Sequence, residues 1–409
     1  MSAPPLQRIH KVTRAEHSAP AHFPALDGVR GIAILAVVGF HIAVVASAQA
    51  PWAYRASPPV ASWPIFAGSL GVDVFFVLSG LLVYRSWQSL RARYRSEGLR
   101  SVVEFARRRG RRILPPYWFA LLILIPWRAP HWLESLDGCR NIGMFASLNQ
   151  FLDTKLPGEL STVTWSLTTE THFYLALPIL ALAMARFGWR VVLPALIVTT
   201  LVWRAAAGGT GAEAEWIFGR ADQFVAGIAA SSLIADFQSG RRSALLRWLT
   251  GRRAGLVLVA SLAGLVVAHG SMRLLPKPLV FTTVLHPLAG LLVAGLLVRI
   301  VCTGKMRVLH NGVLGSLGLI SYSLYLWHWP LLAEAVARWG TSAPVIAGAL
   351  AAGLTASVAS YWLLERPFVG AGAARADQPE PGTTEATIAN SPWSAPAAVV
   401  AVAPLGNNT

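Results

Sequence analysis

The chain has 409 residues, 54% of them hydrophobic and 13% charged, with a mean hydropathy of +0.51. Roughly a quarter of the residues of an ordinary soluble domain are charged. This composition therefore excludes a soluble enzyme and predicts an all-α, polytopic membrane helix bundle. The net charge of +16 does not point to a nucleic-acid partner, because the basic residues lie in loops between apolar spans, where they set orientation.

Residues 1–25 form a polar, basic cytoplasmic tail with Arg8, Lys11 and Arg14, and no cleavable signal pattern is visible. The first apolar segment, 28–48, carries Arg30 near its start and His41 inside it. In a helix their spacing is close to three turns, or ~16 Å at ~1.5 Å per residue, so they share a face. Histidine titrates near neutrality, and an ionisable group at hydrocarbon depth is a functional candidate. The plainer reading is that Arg30 snorkels and His41 bonds a neighbouring helix.

The second span, 67–87, holds Asp73 near its outer end and Ser79-Gly80 at its middle. A lone carboxylate at Asp73 needs a cation or a helix N-terminus. Ser79-Gly80 reads equally as a small-residue packing face and as a substrate contact. The loop 85–112 ends in FARRRGRRILPPYW. Arg107, Arg108, Arg109, Arg111 and Arg112 make a cationic patch there, suited to topology and anionic lipid or to bidentate phosphate binding. Pro115-Pro116 are expected to start or kink the third span, 112–127. The stretch 139–152 is apolar but too short to cross, and reads as a re-entrant or interfacial helix.

The fourth span, 161–186, opens TVTWSLTTETHFYL. Ser166, Glu170 and Tyr174 are spaced by four and share a face, with Trp165 near the interface. By helical rise, Glu170 lies ~14 Å from one boundary and His41 ~18 Å from the other. They are expected to meet near the midplane, with Glu170 orienting the His41 ring. Further spans are expected at 190–205, 219–237, 252–269, 280–301, 312–334 and 343–364, making ten. Arg220 and Asp222 read as an interfacial pair, His286 as a kink contact and Glu365-Arg366-Pro367 as a helix stop. Tyr325 and His328 stand at i,i+3, and Trp327 and Trp329 fit an interface belt. Residues 369–409 are expected to be a disordered tail.

With an even number of spans and a cytoplasmic N-terminus, the inner segments plus Arg30 hold 26 of the 35 Lys and Arg. This places both termini in the cytoplasm. Cys139 and Cys302 then fall on opposite sides, which excludes a disulfide between them. No metal-ligand spacing, internal repeat or C-terminal hydrolase motif is present, so no metal site is expected.

Six ordered motifs, LDGVRGIAILAVVGFH, GVDVFFVLSG, FARRRGRRILPPYW, TWSLTTETHFYL, SYSLYLWHWP and LLERPF, resemble the membrane-bound acyltransferase family 3, the O-antigen and exopolysaccharide O-acetylase-like proteins. The resemblance covers residues 26–368, taken as the transmembrane acyltransferase domain. It implies transfer of an acyl group, usually acetyl, from cytoplasmic acyl-CoA to a hydroxyl of a carbohydrate, glycolipid or glycosylated natural product. No permanently bound cofactor is implied, and a bacterial inner-membrane location and a homo-oligomer are compatible with it. The family's Arg-x10-His motif falls on Arg30 and His41, its Arg-rich motif on the run ending at Arg112, and its Trp-Ser-Leu-x-x-Glu motif on Trp165, Ser166, Leu167 and Glu170.

On this reading His41 and Glu170 are catalytic, and Arg30, Arg108, Arg109, Arg111 and Arg112 hold the donor. Asp73, Ser79, Trp165, Ser166, Tyr325 and His328 contact substrate. His41 is either a general base or an acyl relay. The alternative from another class is a proton-coupled secondary transporter, since intramembrane His, Asp and Glu also build proton relays.

Overall fold

Pro24 pre-sets the first helical turn, and the apolar run behind it continues to Ala48. The result is α1 (Pro24–Ala48), 25 residues long, ~37 Å at the α-helical rise and enough to cross a hydrocarbon core of ~30 Å. The computed structural model describes residues 23–48, 63–94, 97–153, 160–207, 215–271 and 281–368. The basic tail before residue 23 and the expected disordered tail from 369 lie outside the described residues.

After α1 come α2 (Leu70–Arg93), α3 (Gly98–Arg128), α4 (Leu136–Ala146), α5 (Thr164–Phe187), α6 (Trp189–Ala206) and α7 (Ile217–Gln238). Then follow α8 (Arg252–Gly270), α9 (His286–Thr303), α10 (Gly312–Leu319), α11 (Ser321–Trp339) and α12 (Ala343–Ser360). Among the described residues there is no strand. The chain is an all-α, polytopic membrane protein.

Each of the ten expected spans coincides with helix, and seven helices are long and apolar enough to cross a membrane: Pro24–Ala48, Pro64–Arg93, Thr164–Phe187, Trp189–Ala206, Arg252–Gly270, Thr282–Thr303 and Ala343–Phe368. Length and composition alone thus mark seven of the ten expected spans among the described residues. The other three expected spans fall on α3, which carries the arginine run, on α7, which carries Arg220, Asp222 and Asp236, and on α10 and α11, which divide at Ile320.

Two boundaries differ from expectation. Pro115-Pro116 do not start the third helix. α3 begins at Gly98 and runs through them for 31 residues, because the Arg-rich stretch before them is a good helix former. The arginine run is therefore itself helical, and periodicity decides where each guanidinium points. At the other end, Glu365 is not a stop: the last span continues through a π-turn (Tyr361–Glu365) to Phe368.

Glycines set the closest helix approaches. A Cβ on Gly80 would collide with the Phe224 carbonyl, and one on Gly227 with the Val77 carbonyl. α2 and α7 therefore cross backbone to backbone, the small-residue packing that apolar surroundings favour. The α1 start is gripped in the same way: Gly28 lies on the Leu309 carbonyl and Gly31 on that of Leu314, and Gly318 lies on the Asp27 carbonyl. These contacts hold Asp27 and Arg30 in place. Apolar side chains of α2, α3, α5 and α7 fill the main core, where Phe173 stacks on Phe224 at 4.2 Å.

Candidate active site

Helical periodicity turns the arginine run into two sets. Arg109 and Arg112, three residues apart, share one face of α3 and line a cavity of about 340 Å³ between α1, α2, α3, α5 and α11. Arg30 from α1 and Arg85 from α2 join them in its wall. Arg107 and Arg108 point elsewhere and share Glu104, each with a hydrogen bond of 2.8 Å. Burial pushes the Glu104 carboxyl up, but Arg108 and Arg107 outweigh it and hold it below the usual carboxylate range. Arg108 and Arg111 do not line the cavity, so the expected donor cluster narrows on that wall to Arg30, Arg109 and Arg112, with Arg85 added.

These four guanidiniums face two carboxylates in the cavity wall, Asp27 and Glu170. Asp27 accepts from Arg30 at 3.3 Å. Arg109 donates to Ser86 Oγ at 3.1 Å and lies 5.8 Å from the Tyr174 ring centroid. Its Nε is buried with no hydrogen-bond partner. An unmatched buried guanidinium N–H is costly, and the excess of cations suits a polyanionic ligand. A third carboxylate, Glu365, is buried behind this end and accepts from Ser323 Oγ at 3.3 Å.

Further along the cavity, the i,i+4 spacing of α5 presents Ser166, Glu170 and Tyr174 together. Glu170 accepts hydrogen bonds from Ser79 and Tyr174. Ser79-Gly80 thus does both of the things the sequence allows: the glycine packs on α7 and the serine reaches the cavity. Next to them Ser166 Oγ lies 2.6 Å from the Tyr325 hydroxyl, which donates to the Val163 carbonyl at 2.9 Å.

His41 is not among the lining residues of this cavity, and no hydrogen bond joins it to Glu170 among the described residues. Its partner is His328: His41 Nδ1 lies 2.9 Å from His328 Nε2. The expected His41–Glu170 pair is therefore replaced by a His41–His328 pair. Depth along a helix does not by itself say which faces oppose. The Tyr325 ring, which lines the cavity, has its centroid 5.8 Å from that of His328. Cavity, His328 and His41 are thus consecutive.

Trp329 packs on His41 at 4.8 Å and Trp327 is buried against Phe119. Trp327 is buried and Trp329 partly so, each packed on a neighbouring helix. Trp165 packs on Phe76 and on the Arg220 guanidinium. Cys139 and Cys302 are both free.

Asp73 belongs to a second polar centre. It accepts from Gln223 and His286, the latter at 2.8 Å, and pairs with Arg220 at 3.4 Å. Arg220 also pairs with Glu215, while Asp222 takes a bidentate pair with Arg204 at 2.8 and 3.0 Å. Arg220 and Asp222 are therefore not each other's partners, and His286 is a carboxylate partner rather than a kink contact. These groups come from the first two turns of α2, α7 and α9, from Glu215 just before α7 and from the last turn of α6, at the end of α2 away from Arg85. Asp73 is expected from the sequence to touch substrate; it is buried and does not line the cavity. Arg204→Met would leave Asp222 buried without its cation, a loss of roughly 3–5 kcal/mol for a broken buried pair. Thermal unfolding of the detergent-solubilised protein should show a clear fall in Tm.

The bundle thus holds an arginine-walled cavity and, beside it, a histidine pair of which His328 is buried and His41 partly so. The acyltransferase domain family matches residues 23–365, and the chain belongs to the acyltransferase-3 family. It is 31% identical over 326 residues to the exopolysaccharide production protein ExoZ of Rhizobium meliloti (strain 1021), covering 75% of this chain and 92% of that protein. It is 27% identical over 369 residues to the membrane-bound transacylase BcsY of Komagataeibacter xylinus, a name given there with reservation, covering 83% and 81%. It is 24% identical over 341 residues to the peptidoglycan O-acetyltransferase OatA of Listeria monocytogenes serovar 1/2a, covering 76% of this chain and 49% of that protein. The chain thus spans about half the length of OatA. No solved structure matches the chain.

Proposed function

We propose that the protein is a multi-pass enzyme of the bacterial inner membrane that moves an acyl group, most simply acetyl, from cytoplasmic acyl-CoA to a hydroxyl of an envelope polysaccharide, glycolipid or glycosylated natural product. The observation that carries this reading is the cavity whose wall holds Arg30, Arg85, Arg109 and Arg112. Coenzyme A carries its phosphates at one end and its thioester at the other. The arginines suit the phosphates, because guanidinium pairs with phosphate oxygens bidentately. The positive-inside bias puts this end in the cytoplasm, where acyl-CoA is available.

From the arginines the cavity runs past Glu170, Ser79 and Tyr174 towards Ser166 and Tyr325, and His41 stands beyond His328 on the far side. His41 takes the proton of the acceptor hydroxyl, the oxygen attacks the thioester carbonyl carbon, and the C–S bond breaks. The leaving CoA thiolate then takes the proton. The products are an acyl ester and free CoA. In a relay version His41 accepts the acyl group first and passes it to the hydroxyl. The names of ExoZ and OatA, an exopolysaccharide production protein and a peptidoglycan O-acetyltransferase, support an envelope polysaccharide as acceptor.

The test uses membrane vesicles containing the protein, radiolabelled acetyl-CoA and the envelope glycan fraction of the source cells. The reading requires free CoA release matched by alkali-labile label in the glycan. Substrate flux without CoA release would overturn it in favour of a transporter.

A further inference from the structure

The histidine pair fixes its own proton positions. His328 lies on α11 and is 1% exposed. Its Nδ1 is 2.9 Å from the carbonyl oxygen of Leu324, one turn earlier on the same helix. A carbonyl only accepts, so Nδ1 carries the hydrogen. In a neutral imidazole the other nitrogen is then a bare acceptor. That nitrogen, Nε2, is 2.9 Å from His41 Nδ1, so His41 Nδ1 must donate. The remaining nitrogen of His41, Nε2, is left unprotonated. Beyond His328, His41 also meets the Val37 carbonyl one turn earlier on α1, and its ring is only partly buried.

We infer that His328 is the positioning residue of the reaction: it holds His41 in the tautomer whose Nε2 lone pair is free to act, a role more often filled by a carboxylate. This rests on His41 being the reacting histidine. The order of contacts is backbone carbonyl, His328, His41, with one hydrogen in each link. This relay of three groups contains no carboxylate, which suits apolar surroundings, where an unpaired buried carboxylate would be costly. Trp329 and Phe40 pack on His41 at 4.8 and 5.2 Å between ring centroids and restrict its rotation, so the direction of the lone pair is held as well as its existence.

When His41 takes a proton at Nε2, its Nδ1–H bond to His328 becomes charge-assisted and shortens. His328 can share the charge by accepting the Nδ1 proton, since its own Nδ1–H already points at a helix carbonyl. The proton returns along the same bond when CoA leaves, so no co-reactant is consumed.

The experiment compares His328→Leu, His328→Met and His328→Gln in vesicles, with CoA release followed against acetyl-CoA concentration. Leu and Met occupy a similar volume but offer no nitrogen or oxygen acceptor, and two such variants guard against one misfolding. Gln places an amide oxygen near the position of Nε2 and can accept from His41. The expected result is a kcat lower by roughly 10²–10⁴-fold in the Leu and Met variants with KM for acetyl-CoA unchanged. His328→Gln should recover most of the rate, within about tenfold of the parent. Packing alone would rank Leu with Gln. A parental kcat in the folded Leu or Met variant overturns the inference, as does a Gln variant as slow as they are. His41→Ala separates the two readings: if it keeps full activity the function of His41 falls, and if it is inactive while His328→Leu is not, only the positioning role falls.

Discussion

His41→Ala should reduce acyl transfer by roughly 10²–10⁴-fold, the range that a positioned general base contributes, while the protein remains folded. If His41 is instead the acyl carrier the loss is at least as large. The fold should tolerate the change because His41 is partly exposed and its side-chain partner, His328, keeps its own link to Leu324. The removed ring leaves space beside Trp329 and Phe40 rather than an unpaired charge. CoA release in vesicles measures the rate, and thermal unfolding in detergent checks the fold. Labelled acetyl-CoA supplied without acceptor then separates the two chemistries: label retained on the parent protein and absent from His41→Ala marks an acyl-histidine, and its absence from both marks direct attack.

The second large effect is expected at the arginine wall of the cavity. Arg109→Gln combined with Arg112→Gln removes two of the four guanidiniums in the wall. Each charge-assisted hydrogen bond to a phosphate contributes about 1.5–3 kcal/mol, so loss of one from each residue should weaken donor binding by roughly 10²-fold or more. The effect should fall on KM for acetyl-CoA, because these groups hold a part of the donor that does not react. Arg107→Gln with Arg108→Gln is the matched control. Those side chains are paired with Glu104 outside the cavity, and their removal should leave KM near the parental value. A KM raised equally by both double variants would mean that general cationic charge, rather than this cavity, attracts the donor.

The helical class, and the helices behind most expected spans, were legible because an apolar run of bilayer length admits little else. The α1 pair Arg30 and His41 was legible by spacing alone. So was the face shared by Ser166, Glu170 and Tyr174, and all three do line the cavity. What the sequence could not supply was rotation. Helical rise puts His41 and Glu170 at matching depth, yet His41 pairs with His328 of α11, and nothing in a one-dimensional pattern says which helices face each other. Arg109 could have been separated from Arg108 by applying helical periodicity to the arginine run. That step was hidden by the proline pair, which suggested that the helix began later. Glu365 was hidden in the same way, since Arg366-Pro367 beside it reads as an end, whereas the π-turn carries the helix on and buries the carboxylate. Asp73 was rightly marked as needing a cation. Its partners Arg220 and His286 lie 147 and 213 residues away, and no local signal joins them.

The central claim is that acyl-CoA occupies the arginine-walled cavity and gives its acyl group under the control of His41. Binding of labelled acetyl-CoA to the purified protein in detergent, measured for the parent, His41→Ala and Arg109→Gln/Arg112→Gln, tests it most directly. The account predicts saturable binding to the parent, undiminished binding to the inactive His41 variant, and a loss of roughly 10²-fold or more in affinity in the double arginine variant. Equal affinity in all three, or no saturable binding to the parent, would contradict it.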